Sequence, residues 1–134
     1  MVVDGAHNPD GIEALLEALP RVFGTTRPRL LFSALSDKPW WAMAARLSPH
    51  VSGVTVTGLS GPRSVAPEEL ASAFPVPVHV DPDPGHAFRA MIERPGDGPV
   101  LVAGSLYLAG SVYRCVLGRE GMDSVFDRIP GATA

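Results

Sequence analysis

Short apolar runs alternate with helical patterns along this chain. Val2-Val3, Leu30-Leu31-Phe32, Val54–Thr57, Val76–Val80 and Val100–Ala103 each read as a strand, and each is followed by apolar residues at helical spacing. Such alternation implies a parallel sheet, because a parallel neighbour is reached only through a long crossover, which a helix supplies. The expected fold is a three-layer α/β/α, Rossmann-like domain with a mostly parallel sheet of about five to six strands and helices on both faces.

Local signals place the elements. Asn8 is a good helix cap and Pro9 suits a first helical position. Ile12, Leu15, Leu16, Leu19 and Phe23 then line one helical face, and Gly24 stops it. Trp40, Met43, Ala44 and Leu47 form a second stripe that ends before Pro49. A short helix over Glu68–Phe74 follows the turn-rich loop Gly58–Pro67, which contains Pro62-Arg63. Pro77 suits an edge strand. Further helices are expected over Pro84–Glu93 and from Leu106, with Leu108, Val112 and Cys115 on one side of the latter. Periodicity fades after Gly118, so the expectation is one domain over 1–118 and a flexible tail over 119–134.

With 134 residues the chain is long enough for one domain with a core and too short for two. Its net charge is −3 with Lys and Arg scattered, which argues against a nucleic-acid surface. Cys115 is the only cysteine, so no internal disulfide forms, and its plain reading is a core thiol. No run approaches membrane-spanning length and no signal segment opens the chain, so a cytoplasmic location with no membrane partner is expected.

The candidate chemistry begins with DGAHNP, Asp4–Pro9, between the first strand and the first helix. An acid there can hold a ribose hydroxyl or a metal-bound water. A neutral His7 can donate to an anionic oxygen, and the opening helix favours anions too. The same residues can equally stitch their own loop, with Asn8 a simple cap. Lys38, leaving the second strand in SALSDK, is a point charge for a carboxylate or phosphate, or a solvated lysine. Ser105 caps the last helix and can bind a carboxylate; Tyr107 packs at the rim. His50 reads as a surface residue, His79 as structural, and His86 opens the fourth helix. None has zinc-ligand spacing, and no G-x-S-x-G elbow, phosphate loop or G-x-G-x-x-G fingerprint is present.

Four segments taken in order, DGAHNPDG (4–11), SALSDKPW (33–40), GPRSVAPEEL (61–70) and VAGSLYLAGSV (102–112), resemble the C-terminal domain of folylpolyglutamate synthase and dihydrofolate synthase in the Mur ligase family. The resemblance runs from about Val2 to about Leu117. It implies an ATP-dependent ligase of folate biosynthesis and one-carbon metabolism. In that reaction ATP phosphorylates a carboxylate of the folate or its glutamate tail, or of dihydropteroate, and L-glutamate attacks the acyl phosphate. Carried over by position, Asp4 and His7 are catalytic. Asp4, His7 and Asn8 meet the ATP, and His7, Lys38 and Ser105 hold the glutamate. Magnesium, the phosphate loop and most of the folate site belong to an N-terminal domain. The chain starts after the family's glycine–arginine segment, and Ser33 stands where a glycine is common. The resemblance thus implies a domain inactive alone. Two alternatives stay open: a stand-alone interaction or regulatory module with this fold, and part of a ligase acting on another acceptor.

Overall fold

The computed structural model describes residues 1–94 and 98–117. The tail expected over 119–134 lies outside them. In chain order the elements are β1 (Val2–Val3), α1 (Pro9–Phe23), β2 (Arg29–Phe32), α2 (Trp40–Leu47), β3 (Gly53–Val56), α3 (Pro67–Ala71), β4 (Val78–Val80), α4 (Pro84–Ile92), β5 (Val100–Ala103) and α5 (Leu106–Leu117). A single 3₁₀ turn, Ser48–His50, closes α2.

The five strands form one sheet in the order β1-β5-β2-β3-β4, and every neighbouring pair is parallel. Side chains alternate between its faces. Leu30, Phe32, Val54, Val56, Leu101 and Ala103 join α1, α2 and α3 in one core. Leu31, Val100 and Val102 join α4 and α5 in the other. The expected three layers are therefore present. β2 lies inside the sheet with both faces covered, and Leu30, Leu31 and Phe32 are wholly buried. That is why it reads as an unbroken apolar run. Each such side chain contributes about 1.5–3 kcal/mol relative to exposure.

The crossovers β1–β2, β2–β3 and β3–β4 advance across the sheet in one direction, carrying their helices on one face. The return from β4 to β5 carries α4 on the opposite face. Reversing direction and face together keeps a single crossover hand. It also inserts β5 between β1 and β2, which sets up the site.

Element ends differ from expectation where backbone hydrogen bonding overrides pattern. β4 starts at Val78 rather than Val76, because Pro75 and Pro77 have no N–H to donate to β3. It is an edge strand, as Pro77 suggested. His79 is exposed on that edge rather than structural. α3 is helical only to Ala71 and unwinds through turns before Phe74. Cys115 is partly buried against the α4–α5 core. Among the described residues no helix is long and apolar enough to cross a membrane.

Candidate functional site

All strands of a parallel sheet end on the same rim. The chain leaves β1 and β2 toward the α1–α3 face but leaves β5 toward the α4–α5 face. The exits beside β5 diverge and open a crevice, the place where open α/β sheets take ligands. A cavity of about 200 Å³ occupies it. His7 reaches it from the β1 exit, Leu35, Asp37 and Lys38 from the β2 exit, Arg63 from the β3 exit, and Gly104–Tyr107 from the β5 exit.

Two glycines let these loops meet. At Gly104, φ is +114°, and a Cβ there would sit 2.1 Å from the Ser33 carbonyl oxygen. At Gly5 a Cβ would sit 2.4 Å from Leu106 Cδ2. The Gly104 N–H donates to Ala6 O at 2.9 Å, tying the β1 exit to the β5 exit.

Of the residues singled out from the sequence, His7, Lys38 and Ser105 share this cavity, whereas Asp4 and Asn8 do not line it. Asp4 Oδ1 accepts the Ala6 N–H at 2.7 Å, folding its own loop. Its charge is felt on the α4–α5 side, at Tyr113 of α5. Burial pushes the Tyr113 phenol above its ordinary value of 10.0, and the Asp4 carboxylate adds to the rise. Asn8 caps α1, its Oδ1 accepting the Gly11 N–H at 2.7 Å.

His7 is half-buried, with Nδ1 2.9 Å from the carbonyl oxygen of Gly5. A carbonyl only accepts, so Nδ1 carries the proton. A neutral ring then offers a lone pair at Nε2, not a donor.

Ser105 is buried, at 2% exposure. Its Oγ accepts the Tyr107 N–H at 3.0 Å and its carbonyl accepts the Ala109 N–H, so it caps α5 as expected. Because Oγ accepts, the hydroxyl proton remains to donate. Tyr107 does not pack away at the rim; it stands 60% exposed at the cavity mouth.

Arg63 was not singled out by the sequence, where it reads as one residue of a turn-rich loop. Backbone contacts bring it in. Leu35 and Ser64 form an antiparallel bridge, Ser36 N–H donates to Arg63 O at 2.6 Å, and Val65 N–H donates to Ala34 O at 3.1 Å. The β3 exit is thereby laced to the β2 exit, and Arg63 lies 3.5 Å from Asp37 across an ion pair. The dipeptide Pro-Arg in a loop after a strand was the available signal.

A second arrangement missed by the sequence reading lies at the β4 exit. Asp81 is buried and accepts from the Asp83 N–H at 3.1 Å, while its Oδ2 meets His86 Nδ1 at 2.5 Å. This bond and the Asp81 charge raise His86 above its ordinary value of 6.5. Burial works against the ionised Asp81, but the bonds from His86 and the Asp83 N–H together hold it below 3.8. Among the described residues no three His, Cys, Asp or Glu side chains gather to hold a metal ion.

The fold is an open α/β domain, and the cavity beside β5 is lined by Lys38, Arg63 and Asp37 together with the start of α5. The chain belongs to the Mur ligase family: its residues 1–106 match the model for the Mur ligase, glutamate ligase domain. It is 36% identical over 119 residues to folylpolyglutamate synthase of Lacticaseibacillus casei, covering 88% of this chain and 27% of that protein. It is 30% identical over 114 residues to dihydrofolate synthase/folylpolyglutamate synthase of Bacillus subtilis strain 168, covering 84% and 26%. A crystal structure of a bifunctional folylpolyglutamate synthase/dihydrofolate synthase with Mn, AMPPNP and L-glutamate bound superposes with a TM-score of 0.75 at 27% identity, covering 85% of this chain and 28% of that one. The chain spans about a quarter of the length of these relatives.

Proposed function

We propose that this domain supplies the amino-acid side of an ATP-dependent ligase that joins L-glutamate to folate, or to its dihydropteroate precursor, through an acyl phosphate. One observation carries the reading: a single cavity gathers Lys38, Arg63, the Ser105 hydroxyl and the Nε2 lone pair of His7. L-Glutamate bears two carboxylates and one ammonium. Lys38 and Arg63 are the two cations for its carboxylates, Ser105 donates to one of them at the start of α5, and His7 faces the ammonium. The relatives named above support the substrate class, since one was crystallised with L-glutamate and an ATP analogue.

The nucleotide reading rests on the loop between β1 and α1. Asp4 is assigned to the ribose or phosphate region, and Asn8 serves it by holding the N-terminus of α1 in place. Magnesium accompanies the ATP and is held by a phosphate-loop domain rather than by this chain. The chemistry needs water excluded and the amine held against the acyl carbon, which a domain closing over the nucleotide provides.

The test is an amide NMR titration of this chain with magnesium-ATP and then L-glutamate. Saturable shifts confined to residues 4–11, 33–38, 63 and 104–107 are expected. Unchanged spectra in these segments at millimolar ligand overturn the assignment of glutamate to this cavity.

A further inference from the structure

We propose that the opposite end of the sheet carries a second ligand site, one for a small phosphate monoester. A cavity of about 370 Å³ lies beside the N-terminal ends of β2, β3 and β4. Arg29 enters it from β2, His79 from β4 and Arg94 from just after α4, and no Asp or Glu side chain lines it. Leu31, Thr55 and His79 stand in one register row, so Thr55 and His79 share the sheet face that carries α4 and α5. The apolar core on that face draws on β1, β2 and β5 but on neither β3 nor β4. The rest of the face floors the cavity, and Met91 and Arg94 wall it.

Arg29 is held in one orientation. Its terminal nitrogens donate to Met91 O at 2.6 Å and to Gly98 O at 2.8 Å, on two different segments. Its Nε is buried with no hydrogen-bond partner among the described residues. A charge drawn partly out of water is ordinarily met by an opposite charge, because its desolvation must be offset. Among the described residues no carboxylate pairs with Arg29 or Arg94. Of the acids near these residues in sequence, Asp81 is bonded by His86 and the Asp83 N–H, and Glu93 does not line the cavity. The cavity therefore carries positive charge that the protein does not neutralise, and it recruits an anion from solution.

The lining selects the anion. Arg29, Arg94 and His79 come from three segments and approach from different directions. That suits the three terminal oxygens of a phosphate monoester better than the two in-plane oxygens of a carboxylate. The arginine fork matches phosphate, and a histidine ring offers an N–H in either tautomer. Pro77, Val78 and Met91 line the remainder and give the organic part of the ester an apolar seat. No Phe, Tyr or Trp lines the cavity for a base to stack on, so a nucleic-acid strand is a poor occupant.

The experiment is an amide NMR titration of this chain with glycerol 3-phosphate, inorganic phosphate and succinate, each against sodium chloride of matched ionic strength. Saturable shifts at residues 29, 53–55, 78, 79, 91 and 94 are expected with both phosphates, tighter for the ester, with succinate weaker. Arg94 and His79 are exposed, so Arg94→Gln and His79→Gln should leave the fold intact. Each should weaken phosphate binding roughly 10- to 100-fold, the span of one lost charge-assisted hydrogen bond. Shifts that chloride reproduces, or that never saturate, overturn the site, as does an unchanged response in either variant. A stronger response to succinate overturns the phosphate class. Shifts confined to residues 4–11, 33–38, 63 and 104–107 also overturn it, and leave the ligase reading standing.

Discussion

Gly104 at the end of β5 lies against the carbonyl of Ser33 at the end of β2, and a Cβ on Gly104 would stand 2.1 Å from that oxygen. The same Cβ would come within 2.8 Å of the Phe32 ring. The φ of +114° adds backbone strain for any L side chain. Gly104→Ala is therefore expected to cost about 3 kcal/mol or more, since clash and strain must both be relieved. Urea unfolding measures this directly. A loss under about 1 kcal/mol would mean that the β2 and β5 exits separate easily and that the cavity wall between them is soft.

Lys38 and Arg63 reach one cavity from different strand exits, and each is assigned a carboxylate. Hydrogen bonds to charged groups contribute about 1.5–3 kcal/mol, so Lys38→Met and Arg63→Met should each weaken L-glutamate binding roughly 10- to 100-fold. Both side chains are partly exposed, so stability should change by less than about 0.5 kcal/mol. Calorimetric titration with L-glutamate and thermal melts separate the two effects. Unaltered glutamate affinity in both variants would remove the cavity from the binding assignment.

The layers and the strand exits were legible because they depend on local pattern. Val100–Ala103 is apolar throughout since β5 is covered on both faces, and that burial leaves a mark in the sequence. Arg63 left no such mark. Its place depends on the Leu35–Ser64 bridge, a contact between two loops with no periodicity and no shared spacing. The Asp81–His86 pair was hidden for a related reason. A five-residue separation spanning a strand end, a turn and a helix start is not a motif, and only the fold at Asp83 brings the side chains together. Lys38, His7 and Ser105 were legible as residues, but the proton position on His7 was not. It follows from the Gly5 carbonyl, whose direction is set by the anchored loop.

Asn8 offers a way to separate scaffolding from ligand contact. Its side chain accepts the Gly11 N–H at 2.7 Å, and its carbonyl accepts the Ile12 N–H at 3.0 Å. Asn8→Ala should cost about 1 kcal/mol through the lost cap, whereas Asn8→Ser and Asn8→Asp, which also cap, should recover most of it. If Asn8 serves the nucleotide only through the helix start, binding of magnesium-ATP should follow stability across this series. A fall in nucleotide binding for the serine variant at restored stability would reveal a direct contact.

The Asp81–His86 pair predicts a pH signature independent of ligand. His86 is raised above 6.5 in the folded chain, so its contribution is complete below that pH and fades as pH rises through the folded value. Asp81 is lowered below 3.8, so its contribution is complete above that pH and fades as pH falls through the folded value. The pair should stabilise the β4–α4 junction most between these two ordinary values. His86→Ala should then be less stable than the unsubstituted chain near pH 5.5, with the difference shrinking by pH 9 as the imidazole loses its charge. Urea unfolding of both proteins across this range checks the sign. A difference that stays constant or grows toward high pH would show that the contact between His86 Nδ1 and Asp81 Oδ2 does not act as an ion pair.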